Sequence, residues 1–186
     1  MGAQRSCSLC ERRRLALNQM DKHQEKFSKI YDDYLEPIYR FVFLRVNSKE
    51  IAQDLTSEAF TRYWESFKKD SGAIQNPRAF LYKTAKNLVI DHYRAKGKTN
   101  IVAPEAVENL LADSKTNLEH SAMLASEMEN VHRAMSHLND DYQNAIIWRY
   151  LDDLSIKEMS HLLDRSEEAT RVLLHRAMKE LRTRLS

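Results

Sequence analysis

The sequence predicts an all-α protein in which two helical domains are joined by a flexible linker. Glycine and proline number only three each among 186 residues, so long uninterrupted helices form easily and turn-rich β architecture is disfavoured. Apolar residues recur at helical spacing in two blocks of the chain, and this spacing breaks down between them. Hydrophobic residues make up 42% of the chain and charged residues 30%, which suits a soluble globular protein.

Several protein classes are excluded by the same composition. No stretch approaches the roughly 18 apolar residues that a membrane helix needs, so membrane insertion is not expected. The N-terminus lacks the apolar run of a signal peptide, and the two cysteines cannot build a secreted disulfide scaffold. We therefore expect a cytoplasmic protein.

Residues 1–21 are expected to be a disordered basic tail that contains a CxxC pair, Cys7 and Cys10. A structural zinc site usually has four ligands, and no second CxxC is present. The sequence therefore predicts neither a metal nor a cofactor.

Residues 22–97 are predicted to form the first domain, with three helices. Pro37 lies inside the apolar pattern of the first helix and is expected to kink or divide it. Asn47, three residues before Glu50, is the predicted N-cap of the second helix. Asn76 before a proline predicts the start of the third helix, and Gly97 its end.

Residues 98–121 are predicted to be an acidic linker, and residues 122–186 a second helical domain. Ser155 with Glu158 makes a capping box for a short helix. A tight turn follows at residues 164–166, where Ser166 is the predicted N-cap of a longer basic helix whose inward residues include Leu185. This arrangement is typical of a DNA-binding helix-turn-helix, although an ordinary helical hairpin has the same pattern.

Charge is unevenly distributed although the net charge is only +2. Residues 76–98 and 165–184 are basic, and residues 102–130 between them are acidic. The third helix of the first domain mixes basic and aromatic residues. Such a mixture can bind unpaired bases. Alternatively, the aromatic residues simply pack in the core and the basic residues face solvent. No catalytic sequence motif is present, so an enzyme is not expected.

Four stretches of the chain have a familiar pattern: residues 51–64 (IAQDLTSEAFTRYW), residues 76–94 (NPRAFLYKTAKNLVIDHYR, including the spacing of Asn87, Asp91 and Arg94), residues 138–159 and residues 175–182. In this order they resemble parts of bacterial sigma factors of the sigma-70 family, extracytoplasmic-function (ECF) type. The first stretch resembles region 2.2 and the second resembles regions 2.3 and 2.4. The third is similar to region 4.1 running into 4.2, and the fourth to the end of region 4.2.

The resemblance implies a dissociable subunit of bacterial RNA polymerase, with a region 2-like three-helix core and a region 4-like helix-turn-helix. Its partners would be core RNA polymerase (the β′ and β subunits), promoter DNA and an anti-sigma factor, and the linker would lie in the RNA exit channel. The residues implied to dock on the β′ coiled coil are Asp54, Ser57 and Glu58. Those implied to melt and hold the −10 element are Phe80, where the family usually has Trp, Lys83, Lys86, Asn87 and Arg94. Those implied to read the −35 duplex are Arg165, Ser166, Thr170, Arg171, His175, Arg176 and Lys179.

Two departures from the family pattern bear on −35 reading. Asp164 stands in the turn where glycine is usual, and it would adopt left-handed geometry at some cost. Val172 and Leu173 are apolar where the family has polar, DNA-facing residues.

Two alternatives remain at this point: a stand-alone helix-turn-helix regulator that binds duplex DNA as a dimer, and a sigma-like interaction protein that no longer reads DNA.

Overall fold

The computed structural model describes residues 8–70, 72–97, 130–131 and 133–185, with side chains described from His23 onward. These residues form helices and turns without a strand, which confirms the all-α prediction. The helices are α1 (Ser8–Val46), α2 (Lys49–Lys69), α3 (Pro77–Ala95), α4 (Asp140–Tyr150), α5 (Ile156–Leu163) and α6 (Glu167–Leu185). Residues 130–131 and 133–136 are also helical.

Helix α1 differs from its prediction at two places. It begins at Ser8, so residues 8–21 are helical and not a disordered tail. It also continues through Pro37 without division. Ile38 and Phe41 are completely buried beside this proline, and their packing against the core offsets the loss of one backbone hydrogen bond.

The caps of α2 and α3 show which start signals were correct. Ser48, and not Asn47, caps α2 by accepting a hydrogen bond from the Ile51 backbone N–H at 3.5 Å. Asn47 instead adopts φ 50° in the tight connection between α1 and α2. The N-cap of α3 at Asn76 is confirmed, since its side chain accepts from the Ala79 N–H at 3.0 Å.

Helices α4, α5 and α6 pack against one another in the C-terminal part. Their core includes Ile147, Leu154, Met159 and Leu162, all nearly inaccessible. The prediction that Leu185 points inward is wrong, since it is 47% exposed in the last turn of α6.

The N-terminal and C-terminal helices share one continuous core. The ring of Phe41 on α1 stacks on that of Trp148 on α4, with centroids 5.8 Å apart. Tyr82 on α3 meets the same indole edge to face at 6.3 Å. The predicted linker at residues 98–121 lies outside the described residues.

Neither a membrane span nor a metal site is found in the part of the chain that the structure describes. No described helix is both long and apolar enough to cross a membrane. No cluster of three potential metal-ligating side chains occurs among the described residues. Cys7 lies outside the described residues and the side chain of Cys10 is not described, so the CxxC pair stays untested.

Candidate polymerase and nucleic-acid interfaces

The exposed side of α2 carries the three residues implied to bind polymerase. Asp54, Ser57 and Glu58 are all exposed, and their spacing places them on one side of the helix. The Glu58 carboxylate accepts a hydrogen bond from Arg62 Nε at 2.8 Å, but both side chains are about half exposed, so this pair contributes little to stability. We call these three residues the α2 acidic face.

Asn87 and Arg94 lie on the exposed side of α3. They are separated by two helical turns, with Asp91 between them, and Arg94 Nη1 lies 3.7 Å from Asp91 Oδ1. Phe80 has a different environment: its half-buried ring meets Tyr63 edge to face at 5.7 Å. Phe80 therefore packs on the core, while Asn87 and Arg94 are exposed to solvent.

Lys83 and Lys86, the other two −10 candidates, face α5 and its turn. Lys86 Nζ donates to the Leu162 carbonyl at 3.5 Å. Lys83 Nζ lies 4.0 Å from Asp164 Oδ1. In this arrangement the helix-turn-helix covers part of the surface that was assigned to single-stranded DNA.

The predicted helix-turn-helix is formed by α5, a three-residue turn and α6. Ser155 and Glu158 make the capping box that the sequence predicts, with Glu158 Oε2 accepting from the Ser155 N–H at 2.8 Å. Partial burial alone would raise the pKa of the Glu158 carboxyl, but the hydrogen bonds from Ser155 outweigh this effect and lower the pKa. Asp164 ends α5 in left-handed geometry, and Ser166 caps α6 by accepting from the Ala169 N–H at 3.1 Å.

One of the −35 candidates is misassigned. The side chain of Thr170 is completely buried, and its hydroxyl donates to the Ser166 carbonyl at 2.9 Å, so it cannot meet DNA. Leu173, expected to face DNA, is also buried at 6% exposure. Both lie on the inward stripe of α6 with Ala177 and Leu181, which explains why the chain has apolar Leu173 there.

The remaining −35 candidates are exposed, and four of them line two separate grooves. Arg165 and Arg176 line a groove between the start of α4 and α6, together with Val172, which is 49% exposed. His175 and Lys179 line a second groove beside Tyr150. Arg171 lines neither groove, and it pairs with Glu167 at 2.9 Å and with Glu168 at 3.8 Å. Ser166 also lines neither groove and serves as the N-cap of α6.

The start of α6 is acidic. The Glu168 backbone N–H and the Ser166 hydroxyl lower the pKa of the Glu168 carboxyl by hydrogen bonding. A carboxylate here is favoured by the helix dipole, but it repels an approaching phosphate. The start of α6 therefore does not favour an approaching phosphate, and the basic residues of the helix lie further along it.

Sequence reasoning missed a polar cluster between the two halves of the molecule. Asp152 is a buried carboxylate, held by Arg40 Nη2 at 2.6 Å, and Arg78 donates to the Asp152 backbone carbonyl. Burial raises the pKa of the Asp152 carboxyl, against the opposing effect of Arg40. The Tyr82 hydroxyl lies in the same region, where burial and the nearby Asp152 raise its pKa. No sequence signal could link Arg40 to Asp152, which lies 112 residues away.

Residues 30–99 match the Sigma-70 region 2 family, and residues 128–181 match the Sigma-70, region 4 family. This chain belongs to the sigma-70 family. The first match includes α2 and α3, and the second includes α4, α5 and α6 up to residue 181. As a sigma factor, the chain is a transcription initiation factor and not an enzyme.

Relatives assign this sigma factor to the ECF type. It is 28% identical to the ECF RNA polymerase sigma factor SigM of Bacillus subtilis, over 83% of this chain and 91% of SigM. It is 27% identical to SigW of the same organism, over 87% of this chain and 90% of SigW. It is also 27% identical to BldN of Streptomyces coelicolor, where the match covers 84% of this chain but only 59% of BldN.

Two solved structures share the fold of this sigma factor. The sigma factor RpoE of Bartonella quintana, in complex with the anti-sigma factor NepR, has a TM-score of 0.66 at 17% identity, covering 87% of this chain and 97% of RpoE. CnrH, in complex with the cytosolic domain of CnrY, has a TM-score of 0.62 at 17% identity, covering 86% of this chain and 87% of CnrH.

Proposed function

We propose that this sigma factor directs bacterial core RNA polymerase to promoters in the cytoplasm. One observation carries the proposal: the two sigma regions follow each other on one chain, and each presents an exposed charged surface. A stand-alone DNA-binding regulator needs only the second region, so the match over residues 30–99 favours the sigma factor over that alternative.

The α2 acidic face is the proposed docking surface for the β′ coiled coil. Acidic side chains suit a basic partner, since charge complementarity accelerates association and excludes wrong partners. Asp54, Ser57 and Glu58 project from one helix whose other side is fixed in the core, so docking needs no rearrangement of α2.

The exposed side of α3 is the proposed −10 site. Asn87 carries amide donor and acceptor groups that can hydrogen-bond an extruded base, and Arg94 can bind the strand backbone. Strand opening would be driven by capture of flipped bases and by polymerase contacts, without nucleotide hydrolysis.

The exposed side of α6 is the proposed −35 site. His175, Arg176 and Lys179 supply cations for the phosphates flanking the major groove. Val172 can make apolar contact with a thymine methyl group, in place of a polar base contact. An anti-sigma partner is also proposed, because the similar sigma factor RpoE was solved in complex with NepR.

Transcription of fragmented genomic DNA by sigma-free core polymerase tests this function. Addition of the chain should produce RNAs with discrete starts, and core polymerase alone should not. If the chain instead binds duplex DNA specifically as a dimer and starts no RNA, the stand-alone regulator replaces the proposal.

A further inference from the structure

In the groove between the start of α4 and α6, the turn of the helix-turn-helix meets a carboxylate from outside that motif. Arg165, the residue after the left-handed Asp164, lines this groove, and so does Asp141 in the first turn of α4. Arg165 Nη2 donates to Asp141 Oδ2 at 2.8 Å. The two side chains are 46% and 35% exposed, so the pair adds little to stability and is accessible to a ligand.

Backbone contacts fix both ends of this ion pair. The Arg165 backbone N–H donates to the Ser160 carbonyl at 3.0 Å, which holds the turn against the end of α5. The start of α4 is capped by Asn139, whose side chain accepts from the Tyr142 N–H at 2.9 Å. Asp141 therefore projects from a fixed helix start, and it holds the Arg165 guanidinium in one place relative to the groove.

The helix-turn-helix lines the same groove with apolar residues between two arginines. Ala169, Val172 and Leu173 lie between Arg165 and Arg176 along the chain, and Val172 is 49% exposed. Arg165 is at the N-terminal end of this row, where a recognition helix contacts base edges, and Arg176 is about three helical turns further on. Arg165 is therefore the polar groove residue of this motif that is best placed to read a base.

We propose that Asp141 is a positioning residue for −35 reading, and that Arg165 is the base-reading residue it holds. The proposal rests on the −35 role of α6 given above and specifies its base contacts. A guanidinium makes bidentate hydrogen bonds to O6 and N7 of guanine in the major groove, and exposed Val172 contacts the methyl group of a thymine. The −35 element of this sigma factor therefore contains a guanine read by Arg165, close to a thymine read by Val172.

Without Asp141, the Arg165 guanidinium has competing anionic partners. Glu167 and Glu168 follow it in the first turn of α6, and phosphates flank the groove once DNA is bound. A long arginine side chain that rotates freely can bind any of these oxygens, and none of them carries sequence information. Because Asp141 occupies one edge of the guanidinium, the opposite edge stays available to the base.

Sequence selection by the holoenzyme, which is core polymerase with the full chain bound, tests the proposal. A promoter found in the transcription test above is randomised over its −35 element, and the duplexes that the holoenzyme binds are sequenced. The unmodified chain should prefer guanine at one position by about tenfold, and Arg165→Ala should lose that preference alone. Arg165→Lys keeps the charge but not the planar fork, so it should lose the same preference while overall affinity is retained.

Asp141→Asn separates positioning from simple charge. It should lower the guanine preference at the same position by about threefold, while overall DNA affinity stays equal or rises because a negative charge leaves the groove. Adding Asp141→Asn to Arg165→Ala should change no base preference further, since the carboxylate acts through the arginine. Glu180→Gln is the matched control: it removes a carboxylate that pairs with Arg184 at the same 2.8 Å but lines neither groove, and it should leave every base preference unchanged.

Circular dichroism verifies that each variant is folded, as expected for side chains that are partly exposed. A uniform loss of affinity across all −35 sequences with Arg165→Ala would make Arg165 a phosphate contact and overturn the proposal. An unchanged guanine preference with Asp141→Asn would overturn the positioning role. Failure of the proposed function would appear differently, since the unmodified chain would then select no sequence beyond those that core polymerase binds alone.

Discussion

Asp164 occupies the turn of the helix-turn-helix with φ 52° and ψ 46°. Because Asp164 stands where the family usually has glycine, the sequence predicts a left-handed backbone there. The φ and ψ angles confirm this prediction. A side chain at this φ costs free energy that glycine avoids. The Asp164 carboxylate is largely exposed, so its contact with Lys83 compensates little.

Replacement of this residue should therefore raise stability. Asp164→Gly is expected to increase the free energy of unfolding by about 1 kcal/mol, because glycine adopts positive φ without strain. Chemical denaturation measures the change. Asp164→Ala is the matched control, since it removes the same carboxylate but keeps Cβ. Equal stabilisation by both variants would show that the carboxylate, and not the backbone, is unfavourable.

Asn87 is the residue whose proposed role differs most from simple charge attraction. Asn87→Ala should reduce open-complex formation far more than binding to closed duplex promoter, because an extruded base exists only after melting. Permanganate footprinting and duplex binding by the holoenzyme measure the two steps. An equal loss in both would argue against base capture.

Individual helices follow their local signals closely where caps and periodicity agree. The starts of α3, α5 and α6 at their caps were all predictable from residues 76, 155 and 166. Thr170 was misassigned because it lies near the start of the second helix of the helix-turn-helix, where this motif places its DNA contacts. In the structure it lies on the buried stripe with Leu173 and Ala177. Pro37 does not divide α1, because tertiary packing overrides the local preference of proline.

Helix α6 makes a testable electrostatic contribution as an element. Arg176→Ala should weaken promoter binding similarly across −35 sequences and reduce the salt slope of binding by about 1, because a phosphate contact releases counterions without reading bases. Titration of the holoenzyme with promoter DNA at several salt concentrations measures the slope. Arg184→Ala is the control, since it removes the same charge from the last turn of α6. A loss confined to certain −35 sequences would assign base reading to Arg176.

The whole molecule depends on contacts that the sequence could not reveal. Local patterns indicated two separate helical blocks, but Trp148 is buried against residues of α1 and α3. The partners of Arg40 and Arg78 in the C-terminal half lie between 74 and 112 residues away, far beyond any periodic signal. Exposure of the α2 acidic face, by contrast, follows from helical spacing alone.

A continuous core should make the free chain unfold as one unit. Calorimetry is expected to show a single transition, because separation of the halves exposes Trp148. Asp152→Asn weakens this contact and should broaden or split the transition. Two well-resolved transitions in the unmodified chain would contradict a shared core.

The most direct test of the sigma-factor assignment is binding of the purified chain to sigma-free bacterial core RNA polymerase. We expect tight one-to-one binding that Glu58→Lys abolishes, with circular dichroism and thermal melting unchanged, because Glu58 is exposed on the α2 acidic face. Glu25→Lys makes the same charge reversal at an exposed position of α1 and should bind normally. Unchanged binding by Glu58→Lys would remove the docking assignment, and no binding by the unmodified, folded chain would contradict the proposed function.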